Sequence, residues 1–358
     1  MVAGYRSYSA FAEWVADVPD ETAEALGIAA DRRPSEAMIR RLLQALDPDL
    51  LTTEISGWLV GRATTSASGS RQAIAVDGKT LRGSRTAVTA ADHVMAACDQ
   101  ATGVVLASTD VDGKTNEITQ FGPLLDQISD LRDTVITADA LHCQREHVAY
   151  LAQRGAHWIL TVKANQPNLH AQLAGLPWRA VPDATRHDDR GHGRREFRTC
   201  KIFTISTGID FPHAAQAIQI RRRSRHDEPK RFTTETVYAI TDLQVHQAKP
   251  DQLAAWIRGH WSIENKIHWV RDVTYDEDRS QIRTGTGPQV MAALRNAAIG
   301  ALRLAGVTNI AAANRHHAAT AAEHWPSSAS PNDFAGALGL LARRRRSNCG
   351  SHRAHSGR

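Results

Sequence analysis

Three acidic residues stand where a phosphoryl-transfer site would need them. Asp77 follows the apolar run Ala73–Val76, Asp139 closes a second apolar run at Val135–Thr137, and Glu264 lies inside a long helical stretch. Carboxylates brought together repel one another until divalent cations neutralise them, and hard oxygen ligands suit Mg2+ or Mn2+. Two such ions can clamp the attacking and leaving oxygens of a phosphodiester, so positioning and charge stabilisation carry the reaction. Each acid also has a plainer role open to it. Asp77-Gly78 is a hairpin-turn dipeptide, Asp139 can cap the helix after it, and Glu264 can be a surface ion-pair partner.

The surroundings of Glu264 are less ordinary. From Trp256 to Trp269 the chain reads Trp-Ile-Arg-Gly-His-Trp-Ser-Ile-Glu-Asn-Lys-Ile-His-Trp. At 3.6 residues per turn, Trp261, Glu264, His268 and Arg271 share one face. That face could hold a metal, a phosphate and a base. Trp256 and Trp269 read as core residues, and His268 as either a buried histidine or a DNA contact.

The elements that must position these groups follow from hydrophobic period. Residues 9–60 are helical, with Phe11, Trp14 and Val15 on one face and a second stripe at Ile39, Leu42, Leu43 and Leu46 after a Ser35 cap. Glu21–Leu26, Gly27 and this second helix spell either a helix-turn-helix or an ordinary packed pair, the latter favoured. Residues 64–70 are a polar linker. Strands follow at Ala73–Val76, Val94–Ala97 and Val104–Ala107, then a helix bearing Ile118, Phe121, Leu125 and Ile128. A strand to Asp139, a helix over 142–154 and a strand at His157–Val162 complete a β-β-β-α-β-α-β order, a mixed sheet with helices packed on it. Residues 175–245 alternate strand-like pieces (Phe197–Ile205, Ala217–Arg221, Thr233–Ile240) with Gly, Pro and charge clusters. Residues 251–275 read as one long helix and 288–305 as another. Beyond Asn309 the pattern degrades.

With 358 residues, 42% hydrophobic and 23% charged, the chain can bury a sizeable core. No apolar run of eighteen residues exists, which excludes a membrane-spanning helix. Acids at positions 13, 17 and 20 argue against a secretory signal. Cys98, Cys143, Cys200 and Cys349 are too scattered for a zinc ribbon or disulfide framework, so a reduced, cytoplasmic location is expected. The net charge of +5 arises from six arginines after Asp333. The informative basic surface lies within residues 186–231, where twelve Lys/Arg face six acids. There strand alternation puts His192, Arg194, Glu196 and Arg198 on one side, and Arg221-Arg222-Arg223-Ser224-Arg225 adds a dense cluster. Phosphate contacts by such residues supply affinity without sequence information.

Three blocks carry a resemblance: Ala75-Val76-Asp77-Gly78-Lys79-Thr80-Leu81-Arg82-Gly83, Thr137-Ala138-Asp139-Ala140-Leu141-His142, and His260 through Trp269. In this order they resemble bacterial insertion-sequence transposases of the H-repeat-associated (ISAs-type) family in the DDE superfamily, over roughly residues 3–310. The resemblance implies a ribonuclease-H-like α/β fold with a β-rich insert before the last acid. It assigns catalysis and metal binding to Asp77, Asp139 and Glu264, with two Mg2+ (or Mn2+) ions. It implies cleavage of double-stranded DNA at element ends, joining to target DNA, and a homo-oligomer on DNA. Related cut-and-paste enzymes place Tyr, Arg and Lys seven before, four before and seven after the glutamate. Here those positions hold Ile257, His260 and Arg271, and only Arg271 keeps the charge. Candidate DNA contacts are Lys79, Arg82, His192, Arg194, Arg198, Arg221, Arg223, His260, His268 and Arg271. The expected division is a helical N-terminal region (1–63), a first core part (71–174), a basic insert (175–245), a second core part with the catalytic helix (246–310) and an irregular basic tail (311–358). Family members carry an additional N-terminal segment, so this chain is expected to be shortened there and to fit poorly from about residue 317. An inactive DNA-binding remnant and a metal-dependent nuclease of the same fold are the rival readings.

Overall fold

The computed structural model describes residues 1–29, 31–62, 71–111, 117–191, 194–226 and 232–319. Four helices open the chain: α1 (Tyr8–Asp17), α2 (Asp20–Ala25), α3 (Glu36–Leu43) and α4 (Pro48–Arg62). Then come β1 (Ala73–Thr80), β2 (His93–Asp99), β3 (Val105–Val111), α5 (Glu117–Asp126), β4 (Val135–Ala138), α6 (Arg145–Gln153), β5 (His157–Val162) and α7 (Pro167–Ala174). Four strands follow, β6 (Thr185–Gly191), β7 (Arg194–Thr204), β8 (Gln216–His226) and β9 (Phe232–Thr241), and then α8 (Pro250–His260), α9 (Gly287–Leu304) and α10 (Ile310–Ala319).

All nine strands form one sheet in the order β3-β2-β1-β4-β5-β9-β8-β7-β6. In its first five strands β2 runs antiparallel to β1 and β3, while β1, β4 and β5 are mutually parallel. That is the ribonuclease-H-like arrangement. The basic insert extends the same sheet rather than standing apart, because β9 pairs antiparallel with β5. Asp77-Gly78 does not form a turn; β1 runs through it to Thr80, with Asp77 opposite Ala96.

Strand alternation sorts the core into two layers. Ile74 and Val76 face α5 and α6, with Phe121, Leu124, Val148 and Leu151 buried against them. Ala75 faces the other way, onto Ile263, Ile267, Val270 and Ile299. Asp77 shares the face of Ala75, which aims it at the segment carrying Glu264.

The N-terminal helices differ from a detached DNA-reading module. Leu51, Ile55 and Leu59 of α4 pack with Val104, Val290 and Ala293, and Ser56 donates a hydrogen bond to the Val105 carbonyl at 2.5 Å. Residues 26–35 separate α2 from α3, far more than the roughly 3–4-residue turn of a helix-turn-helix. On α3, Leu42 is exposed although its spacing marked it as apolar core. The region after Asn309 also departs from expectation: α10 is regular and buries Ile310 and Asn314, while residues 320–358 lie outside the described residues.

The expected long helix over 251–275 is two structures. Helix α8 ends at His260, and residues 264–268 and 270–274 are π-helical, with Trp269 N–H bonded to the Glu264 carbonyl and Tyr275 N–H to that of Val270 at 3.1 Å. An i→i+5 ladder turns less per residue than an α-helix, so residues seven apart no longer align. Glu264 and Arg271 therefore part: Glu264 faces outward, and Arg271 is buried to 1% exposure. There Arg271 donates to Glu277 at 2.8–3.1 Å, and Arg295 of α9 donates to the same carboxylate at 3.0 Å. Burial opposes the charge on Glu277, but the two guanidiniums outweigh it and hold the carboxyl below its ordinary range.

Removing one member of such a buried network leaves charges uncompensated. Glu277→Ala is expected to cost about 3–5 kcal/mol of unfolding free energy, read from the urea midpoint at unchanged m. A loss below about 1 kcal/mol would show that the network is not what ties the π-helical segment to α9.

Candidate active site

The register of parallel strands places the first two acids. Val76 of β1 lies opposite Ala138 of β4, so Asp77 and Asp139 are the next residues of neighbouring parallel strands. Ligands of open α/β sheets bind outside such carboxyl ends. Asp139 does cap the following short turn, its Oδ1 accepting the Leu141 N–H at 2.9 Å. Its charge nonetheless reaches Asp77.

The third acid arrives from α8 and the π-helical turn. Gly259 lets α8 approach closely, since a Cβ there would fall 2.0 Å from Gln100 Oε1. Gln100 in turn donates to Thr137 Oγ1 at 2.8 Å and to the Trp256 carbonyl at 3.1 Å. His260, at the end of α8, sets Nδ1 3.3 Å from Thr137 Oγ1. Glu264 then stands beside Asp77, with His268 beneath both. His268 Nδ1 is 3.5 Å from Glu264 Oε2 and 3.7 Å from Asp77 Oδ2.

Electrostatics follow from this crowding. Burial, then Glu264 and Asp139, push the Asp77 carboxyl up to about 8, against the pull of the Gly78 N–H. The more exposed Glu264 is held below its ordinary value by a hydrogen bond from His268. Burial lowers His268 despite that carboxylate and brings His260 down to about 4. Burial thus disfavours the charged form of both rings, the form that pairs most strongly with a phosphate.

The donor set fits a divalent cation. One oxygen from each of Asp77 and Glu264 and one nitrogen of His268 lie within 4.8 Å of one another, so small side-chain shifts would let one ion with ligands at about 2.0–2.2 Å reach all three. Two carboxylates suit Mg2+ or Mn2+, and an imidazole favours the transition metal of the two.

Several expected DNA contacts are placed otherwise. Arg271 is spent on Glu277, and Lys79 is 9% exposed and paired with Asp272 at 2.7 Å. His268 is buried and turned to the acids, and Trp269, expected in the core, is 56% exposed. Arg82 remains on the surface, 3.4 Å from Asp278. In the insert, Arg198 is paired with Glu196. Arg198 stands opposite Arg222, whereas Arg223 stands opposite Phe197 and Arg221 opposite Thr199. Directly opposed residues share a face, so Arg198 lies on one face of the sheet and exposed Arg221 and Arg223 on the other. Arg223 also sits 5.0 Å from the centroid of Phe232. Arg194 belongs to β7, and His192 lies outside the described residues.

One support had no mark in the sequence. On the far face of β1, Glu117 of α5 approaches Gly78 so closely that a Cβ there would lie 2.6 Å from Glu117 Oε1. Its carboxylate pairs with His93 at 2.8 Å and with buried His142 at 3.4 Å. His142 ends the short turn that Asp139 caps, so this cluster ties β1, β2 and the Asp139 turn together. His142 is only three residues past Asp139, but nothing in the spacing names Glu117 as its partner.

A family model described as "Transposase DDE domain" matches residues 68–300. YbfL of Escherichia coli K12 is 29% identical over 283 residues, covering 75% of this chain and 73% of that protein. YncI of E. coli O157:H7, named as a transposase, is 31% identical over 243 residues, covering 64% of this chain and 61% of its own length. YhhI of E. coli K12, named as an H repeat-associated transposase, is 28% identical over 284 residues, or 75% and 73% of the two chains. Among solved structures, the piggyBac transposase synaptic complex with hairpin DNA aligns with a TM-score of 0.38 at 12% identity, covering 87% of this chain and 61% of that one.

Hydrogen bonds from His142 and His93 lower Glu117 from 4.5 to about 2, against burial. A depressed carboxyl contributes stability above its unfolded pKa and loses it as pH falls through the folded one. The stability advantage of the wild type over Glu117→Gln is therefore expected to be full above about pH 4.5 and to vanish toward about pH 2, measured by denaturant titration across that range. An advantage that stays constant down to about pH 2 would contradict the ionised cluster.

Proposed function

Because the chain belongs to the Transposase DDE domain family, in its H repeat-associated branch, we propose that it cleaves DNA at the ends of an insertion element and joins those ends to target DNA. The observation that carries this reading is the convergence of Asp77 and Glu264 on His268, with Asp139 close enough to act on Asp77.

Asp77, Asp139 and Glu264 would hold divalent cations, Mg2+ or Mn2+, two in number, with His268 as a nitrogen donor at the Asp77–Glu264 side. When bound, the ions would supply an activated water and positive charge at the attacking and leaving oxygens. The chain's part is positional. The strand ends fix two carboxylates, and the π-helical turn brings the third across the sheet face. In the first step a water oxygen bonds to phosphorus and the bond to the 3′ oxygen breaks, leaving a 3′-hydroxyl and a 5′-phosphate. In the second step that hydroxyl's oxygen bonds to a target phosphorus and the target's 3′ oxygen leaves, with no covalent protein–DNA bond in either step. Among the candidate contacts whose exposure is described, Arg82, Arg221 and Arg223 would hold the duplex backbone. The reading carries a homo-oligomer on paired ends and a cytoplasmic location.

The test is an assay on DNA carrying the element's own ends together with a target duplex. In Mg2+ the wild type is expected to nick the ends and form joined product, and in EDTA to do neither. Asp77→Asn, Asp139→Asn and Glu264→Gln should each lose cleavage by at least about a hundredfold, the scale of a lost charge-stabilising group. Nicking without joining would favour the nuclease reading, and DNA binding without nicking in either metal the inactive remnant.

A further inference from the structure

The π-helical segment has a second side. Beyond Glu264, a cleft of ≈ 740 Å³ opens between this segment, the first residues of the chain and α10, within the range of about 300–1,000 Å³ of ligand pockets. Its walls carry Arg6, Arg303 and Arg315, the exposed ring of Trp269, and the amides of Asn265 and Asn309. No acidic side chain is among the described residues that line it. Arg6 is shared with Asp276 at 3.5 Å, and Arg303 donates to the Thr308 carbonyl at 3.1 Å while its Nε is buried without a partner. Arg315 is exposed.

Three guanidiniums, amides and an accessible indole in one acid-free cleft match a polyanion that carries flat rings. Cationic grooves track a nucleic-acid backbone, and bases stack on aromatic side chains only when unpaired. The chain's own residues 320–358 are a poor occupant by charge, with six arginines against Glu323 and Asp333. Asn265, one of its lining residues, directly follows Glu264 in the chain.

We propose that this cleft binds an unpaired DNA strand running on from the cleavage site, one base stacked on Trp269 and its phosphates on Arg6, Arg303 and Arg315. The proposal rests on the DNA reading above.

It is tested by fluorescence anisotropy of the full chain in EDTA, with a blunt duplex and with the same duplex bearing an unpaired 3′ tail. Trp269→Ala is expected to weaken binding of the tailed DNA by about 5- to 150-fold, the value of one stacked base, and to leave the blunt duplex unaffected. Trp269→Phe keeps a ring and should retain most of the affinity. Arg315→Ala should lower the salt slope for tailed DNA by about 0.7. Equal losses on both DNAs, or a Phe variant as weak as the Ala variant, would overturn the proposal. So would wild-type affinity in the Trp269 and Arg315 variants beside weakened binding by an Arg221→Ala/Arg223→Ala double variant, an outcome that leaves the DNA reading standing. A wild type that binds neither DNA would remove both.

Discussion

Holding Asp77 and Glu264 side by side is electrostatically unfavourable, and the surrounding structure is arranged to bear that cost. Asp139, at the end of the neighbouring parallel strand, adds its charge to the pair. Burial and the neighbouring carboxylates push the Asp77 carboxyl up to about 8, while Glu264 leans on the His268 imidazole. On the proposed function, a divalent ion would supply the opposite charge that this crowding calls for.

Everything around the site serves to keep those groups in place. On one face of the sheet, the π-helical segment is tied down by Arg271, Glu277 and Arg295, a buried network whose geometry is set by side chains from three separate elements. On the other, Glu117 clamps His93 and His142 behind β1 and the Asp139 turn. The acids are thus positioned from both sides of the sheet. Sites built on strands and helices with locked supports hold reactive geometry better than sites on loops alone. The π-helical geometry also separates two tasks that one α-helical face would have mixed, sending Arg271 into the core and leaving Glu264 and Trp269 outside.

Much of this was legible in the residues. Apolar runs ending at Asp77 and Asp139 mark two strands of a mixed sheet, whose parallel pairing only the structure shows, and the amphipathic period of residues 118–128 marks α5. The three blocks pointed to the family and to the ribonuclease-H-like sheet. What escaped had definite physical causes. A π-helix has no propensity signature distinct from an α-helix, so Arg271 was placed on the wrong face and its buried partner Glu277 was missed. The same misread period put Trp269 in the core. The N-terminal helices look separable because a polar linker follows them, yet α4 buries Leu51, Ile55 and Leu59 on β3 and α9, a contact between segments far apart in sequence. Arg198 and Arg223 both count as basic, and only the pairing register shows that they lie on opposite faces of the sheet.

The proposed function requires that the π-helical turn deliver Glu264 to the strand-end aspartates to make a divalent-cation site. The most direct measurement is anomalous diffraction at the manganese edge from crystals soaked in Mn2+. A peak is expected at coordination distance, about 2.1 Å, from carboxylate oxygens of Asp77 and Glu264, with a second peak beside Asp139 and loss of the first in Glu264→Gln. Crystals saturated with Mn2+ that show density elsewhere and none among these three carboxylates would contradict it.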